Sequence, residues 1–430
     1  MNRKVVHDAE APESARWWEK LGPGLITGAA DDDPSGIATY SQGGAQFGYN
    51  VLWSVILTFP LMVGIQLASA RIGRVTGKGL AENFRLLCPA WVVALLVALL
   101  TIANVINLGA DLNAMGDVAA LVLGGEQVWY AAAFGILSLL ALVLVPYRRY
   151  VNVLKWLTLA LLAYVGVAFT VRLDWPAVLR AAVWPEITWS KEYATTIVAI
   201  LGTTISPYLF FWQAAEEVEE IKRVRVDKPL RRAPEQAQAQ FRRLKIDTIA
   251  GMGFSNAIAF FMIVATAATL NVHGITNIAS TTQAAEALRP IAGDAGFFLF
   301  ALGIIGTGLL AVPVLGGSAA YAIASVFGWR MGLDQKFGRA KAFYCVIAAA
   351  ILLGVGISAA GLDPIRTLYW SAVINALISV PIMVVLMLVA SSRKVMGKFT
   401  LSVRGKFFGW AATFAMGCAT GAMGWSFVAG

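Results

Sequence analysis

Uncharged apolar runs long enough to cross a bilayer recur along nearly the whole chain, separated by short polar connections. A bilayer core about 30 Å thick needs roughly 20 such residues per helix. Inside lipid a segment must satisfy its own backbone hydrogen bonds, so a bundle of membrane-crossing helices is the fold these runs permit. Composition agrees: 58% of the residues are hydrophobic and 14% charged, with a mean hydropathy of +0.69, whereas a soluble domain carries about 25% charged residues. An ordinary soluble protein is excluded. Eleven crossings are expected, over 22–40, 51–67, 91–123, 128–145, 153–171, 193–213, 248–270, 297–327, 342–358, 365–389 and 407–428.

The net charge of +9 would point to nucleic acid on a water-facing domain, but no segment is large enough to form one. Twenty-nine of the 34 lysines and arginines fall in the N-terminal tail and in alternate connections. That is the distribution expected when eleven crossings start from the cytoplasm. The expected protein is therefore multi-pass in the inner membrane, with a cytoplasmic tail over 1–21 and an extracytoplasmic C-terminus. In the longest basic connection, Glu216 to Lys245, four glutamates precede a basic run; a solvated loop accounts for it, and a gating latch or a lipid-headgroup contact is the functional alternative. Cys88, Cys345 and Cys418 are dispersed and offer neither a metal site nor a disulfide framework. No phosphate loop, nucleophile with a base, or HExxH motif is present. No enzyme activity, cofactor or obligate protein partner is expected; the partners are the lipid bilayer, protons and a small-molecule or ion substrate.

Two spans contain what a continuous helix would reject. The first carries Asp31, Asp32, Asp33, Pro34, Ser35 and Gly36, and the sixth carries Gly202, Thr203, Thr204, Ile205, Ser206, Pro207 and Tyr208. Proline removes a backbone hydrogen bond, so each span should break at Pro34 and Pro207 and expose backbone groups. Irregular backbone at membrane depth survives where it lines a protein cavity. Segments one and six are an odd number of crossings apart and so run in opposite directions. Paired breaks in inverted halves point to a transporter site near the midplane. The expected layout is a first five-helix repeat over 22–171, a second, inverted repeat over 172–392, and an additional helix over 393–430.

Several stretches resemble the NRAMP family of divalent-metal transporters: Gly22 to Ile26, Asp33-Pro34, Gly44 to Tyr49 (GAQFGY), Leu67 to Arg71, Val75 to Lys78 (VTGK) and Leu80 to Glu82. The resemblance runs through spans one to ten. It implies an all-α, LeuT-type fold of five plus five helices and proton-coupled transport by alternating access. It also implies where the chain departs from the family. The first-span motif Asp-Pro-Gly-Asn reads Asp33, Pro34, Ser35, Gly36, and the sixth-span motif Met-Pro-His reads Ser206, Pro207, Tyr208. A further family histidine falls at Gln213, and a tenth-span glutamine at Val373. The intramembrane aspartate of the family falls at Asp111, so protons are expected to move through Asp33 and Asp111 towards Arg339.

A soft thioether favours transition metals, and its loss makes them the least comfortable cargo. Two cargoes stay open. A hard, partly hydrated cation such as magnesium needs one or two carboxylates, which Asp33 supplies as the metal ligand. A small polar organic solute such as a sugar suits one carboxylate beside an aromatic wall. For it the expected binding residues are Asp33, Gly36, Thr204, Ser206, Tyr208, Trp212 and Gln213, with Tyr208 and Trp212 four apart on one helical side. The organic solute is the expected cargo, and a divalent cation the alternative.

Overall fold

The computed structural model describes residues 27–28, 30–145, 149–150, 154, 156–224 and 226–429. The expected tail over 1–21, the stretch from Gly22 to Ile26 and the start of the fifth span lie outside the described residues. The described residues form helices joined by turns and loops and contain no strand. The principal helices are α1 (Pro34–Phe47), α2 (Leu52–Thr76), α3 (Ala90–Leu123), α4 (Gln127–Leu144), α5 (Leu162–Thr170), α6 (Lys191–Thr204), α7 (Pro207–Arg223), α8 (Ala237–Thr269), α9 (Gly296–Phe327), α10 (Lys341–Ser358), α11 (Pro364–Ser391) and α12 (Val403–Ala429).

Among the described residues eight helical stretches are long and apolar enough to cross a membrane, nine if Leu159–Thr170 and Trp175–Val183, bent by 118°, form one span. The expected eleven is not matched as a count. Pro34–Thr76 is one such stretch, although it holds α1 and α2 with the 3-10 turn Gly48–Val51 between them. The glycine-rich α12 is 27 residues long and is not among the eight.

Both expected breaks are present. Residues 27–28 and 30–31 are helical, Asp33 is extended, and α1 starts again with Pro34 in its first turn. The helix α6 stops at Thr204, and α7 starts with Pro207. Proline is tolerated there because the first turn of a helix leaves its amides unbonded in any case. The two broken spans run antiparallel, which their contacts prove in order. Thr27 donates to Gln213 Oε1 at 2.6 Å, Tyr208 reaches Asp33 at 3.0 Å, and Gln42 and Gln46 share a cavity wall with Glu192 and Thr195. Glycines permit the close approach: a Cβ on Gly28 would stand 2.3 Å from the backbone of Gly251, and one on Gly202 2.0 Å from the Ala372 carbonyl oxygen. Thus α8 closes on the first half of span one, and α11 on α6.

The ends of this core differ. Beside Gln42 and Glu192 lies an open cavity of about 660 Å³, also lined by Lys191, Asp363 and Tyr369. The other end is strapped. The Leu230 and Arg231 amides donate to the Arg74 and Val75 carbonyls at 3.2 Å, and the fully buried Arg74 guanidinium pairs with Asp227. Arg243 pairs with the buried Glu217 at 2.5 Å and Lys222 with Glu219 at 3.0 Å. The connection read as a solvated loop is thus partly packed into the bundle, its charges matched by one another and by α2.

Candidate functional site

Asp33 sits at the gap in span one as the N-cap of α1. Its Oδ1 accepts from the Gly36 amide at 2.9 Å and from the Ser35 hydroxyl at 2.6 Å. That is the usual task of an aspartate cap, which satisfies amides the helix leaves open. Its Oδ2 accepts from Tyr208 Oη and from Asn107 Nδ2, both at 3.0 Å. Spans one, three and six therefore meet on one carboxylate, and the residue is fully buried. An ionised acid at this depth costs at least about 2.5 to 3.5 kcal/mol unless matched; four donors are what hold it.

Asn107 is held from behind, its Oδ1 accepting from the Ser371 hydroxyl of α11 at 2.8 Å. One turn along α3 stands Asp111, also fully buried; its carboxylate makes no side-chain hydrogen bond among the described residues and faces the Ser35 amide. On the other side of Asp33, Ser255 of α8 touches two carboxylates at once, Asp31 Oδ2 at 2.5 Å and Asp32 Oδ1 at 2.9 Å. Three consecutive buried acids thus share donors from spans three, six and seven.

The expected binding residues do not all converge. Asp33 and Tyr208 touch. Gly36 contributes its amide to Asp33, and a side chain there would press on Thr203 Oγ1 at 3.3 Å. Gln213 lies further along α7, against Thr27. Four placements differ from the expectation. The Ser206 hydroxyl turns back to the Gly202 and Thr203 carbonyls at 2.6 and 2.9 Å, because the break frees those acceptors on its own helix. Thr204 likewise bonds the Ile200 carbonyl. Trp212 is fully buried but packs edge-on against Tyr321 at 6.1 Å and over Gly317, so its ring fills the seam between α7 and α9 instead of walling the Asp33 site. Arg339 is exposed in the 3-10 turn Phe337–Arg339, well outside the buried acids; it was placed by its order in the chain, which carries no depth.

Sequence reasoning missed Asn107, Ser371 and Ser255. One signal was available for Asn107: it lies four residues before Asp111 and so shares its helical face. Among the described residues no three His, Cys, Asp or Glu side chains are grouped to hold a metal ion. The geometry therefore places the Asp33 carboxylate in a shell of hydroxyl and amide groups, with Asp31, Asp32 and Asp111 buried close by.

Residues 24–426 match the family model described as "Natural resistance-associated macrophage protein-like", Nramp. The chain is 28% identical to the divalent metal cation transporter MntH of Deinococcus radiodurans, over 95% of this chain and 90% of that one. It is also 28% identical to MntH of Klebsiella pneumoniae, over 91% and 90%. In structure it resembles the manganese transporter of Eremococcus coleocola with a TM-score of 0.75, at 16% identity and covering 96% of this chain and 88% of that one.

Proposed function

The chain belongs to the Nramp family, and from that premise we propose that it is a secondary transporter of hard divalent cations, magnesium or manganese. The sugar expected from the altered motifs is withdrawn, because curated relatives matched over nine-tenths of both chains are divalent metal cation transporters. The aromatic wall that favoured it is also dispersed, with Trp212 packed against α9.

One observation carries the reading: a fully buried carboxylate at a helix break whose four hydrogen-bond partners are hydroxyl and amide groups. One carboxylate beside the Ser35 and Tyr208 hydroxyls suits an ion that keeps part of its water shell, as magnesium does. Among the described residues no sulfur or imidazole hydrogen-bonds to Asp33, so its partners give no special advantage to soft ions. The cavity beside Gln42 then serves as the extracytoplasmic entry and the strapped end as the closed cytoplasmic side. That assignment agrees with the placement of lysines and arginines and with an inner-membrane protein whose N-terminus is cytoplasmic. Alternating access moves the opening from one end to the other around Asp33. Asp111, buried and facing the same break, is the residue assigned to carry a coupled proton.

The test is uptake by purified protein in liposomes. Manganese should accumulate, magnesium should compete and monosaccharides should not. An inward proton gradient should speed uptake, and Asp111→Asn should remove that acceleration. Uptake of manganese that magnesium leaves unchanged, or that persists in Asp33→Asn, would overturn the proposal.

A further inference from the structure

Every group now touching Asp33 presents a hydrogen to it, from the Gly36 amide, the Ser35 and Tyr208 hydroxyls and the Asn107 amide. That polarity suits an empty carboxylate and opposes a cation, so loading must rearrange at least one donor. We propose that Asn107 is a direct ligand of the transported cation, brought into play by a half-turn of its side-chain amide for which Ser371 is the pivot. The inference rests on the divalent-cation reading of the same site.

The two ends of an asparagine amide are nearly the same size but opposite in character, one donating and one accepting. A half-turn therefore replaces Nδ2, which lies 3.0 Å from Asp33 Oδ2, by Oδ1 with little change in packing. An amide oxygen beside a carboxylate is the hard pair that calcium, magnesium and manganese accept. Such a turn in a buried site ordinarily fails because it strands the other end, and an unmet buried group costs about 1 to 3 kcal/mol.

Ser371 removes that cost. Its hydroxyl has one hydrogen and two acceptors in reach, Asn107 Oδ1 at 2.8 Å and the Leu368 carbonyl at 2.7 Å. In the empty state it donates to Asn107. After the turn it donates to Leu368 and its oxygen accepts from Asn107 Nδ2, so both arrangements are complete. Asn107 is fully buried and Ser371 is 2% exposed, leaving bulk water little access to substitute for either partner.

The other asparagines buried on α3 differ. Asn104 donates to the Leu315 carbonyl and Ser318 Oγ of α9, and Asn113 donates to the Leu362 carbonyl. Both tie helices together without touching a carboxylate. Asn107 alone of the three contacts both an acid and a switchable hydroxyl.

The test places a reporter atom where the ligand should be. In a chain whose Cys88, Cys345 and Cys418 are replaced by serine, Asn107→Cys is titrated with cadmium. A thiolate-to-cadmium charge-transfer band should appear in the ultraviolet and vanish when Asp33→Asn is added. Cadmium binding that depends on Asp33 by calorimetry but yields no band overturns the proposal. Should the cysteine variant fail to fold, Asn107→Met supplies the second reading. A thioether in the shell should raise the affinity for cadmium relative to magnesium by about tenfold or more, and an equal change for both ions overturns it. If Asp33→Asn leaves divalent-ion binding of the parent untouched, the cation reading itself fails and this inference with it.

Discussion

The breaks in spans one and six share a backbone plan and differ in chemistry. In each, a helix stops, one or two residues are extended, and a new helix starts with proline in its first turn. At the first, three acids are buried in succession and recruit donors from spans three, six and seven. At the second, the polar side chains Thr204 and Ser206 turn back on the carbonyls of their own helix. The inverted repeat therefore duplicates the hinge and leaves the charge on one side only. A pair of half-helices can be a symmetric frame for an asymmetric site.

The greatest expected effect comes from removing that asymmetry. Asp33→Asn keeps the shape of the cap but deletes the charge, and divalent-ion affinity measured by calorimetry should fall by at least about 100-fold, roughly 3 kcal/mol. A loss below tenfold would mean the two breaks contribute alike. Next is Trp212→Ala. Emptying a buried indole seam should cost about 3 to 5 kcal/mol of stability, seen as a lowered thermal midpoint in detergent, with uptake per folded molecule within a few-fold of the parent. Abolished uptake in fully folded protein would return the ring to the site.

Smaller effects separate the serines of the two breaks. Ser255→Ala leaves Asp31 and Asp32 without their shared donor, and the cost of unmet buried acceptors is about 1 to 3 kcal/mol. Ser206→Ala removes a hydroxyl from carbonyls that are neutral and local, so about 0.5 to 1.5 kcal/mol and unchanged uptake are expected. Thermal midpoints of the two variants, measured side by side, should keep that order, and its reversal would sink the idea that charge demands donors at the first break only.

The frame was legible because its signals are local. Proline, glycine and acids inside an apolar run announce a break wherever they stand, so Pro34, Pro207 and Asp33 could be read directly. The GAQFGY and VTGK stretches carried the family. What surrounds Asp33 was not local: Asn107 lies 74 residues away and Ser371 a further 264, and nothing in a helical period says which distant polar residue will face it. The cargo was misjudged for the same reason. The sugar expectation rests on ligands absent from spans one and six, while Asn107 of span three reaches Asp33 from outside both motifs. Trp212 fails differently: four residues from Tyr208 does share a side of α7, but a full turn of rise carries the ring past the break and onto α9. The described helices leave the number of crossings open, because two expected spans meet at the turn 48–51 in one long apolar stretch.

Asp33 also caps α1 through the Gly36 amide. An ion that draws the carboxylate away must leave this amide bare, and an N-cap is worth about 1 kcal/mol, or roughly a fivefold weakening of grip. Helix and cargo thus draw on the two oxygens of one carboxylate. For a carrier that must release what it binds, a helix end that regains its cap when the site empties would favour release.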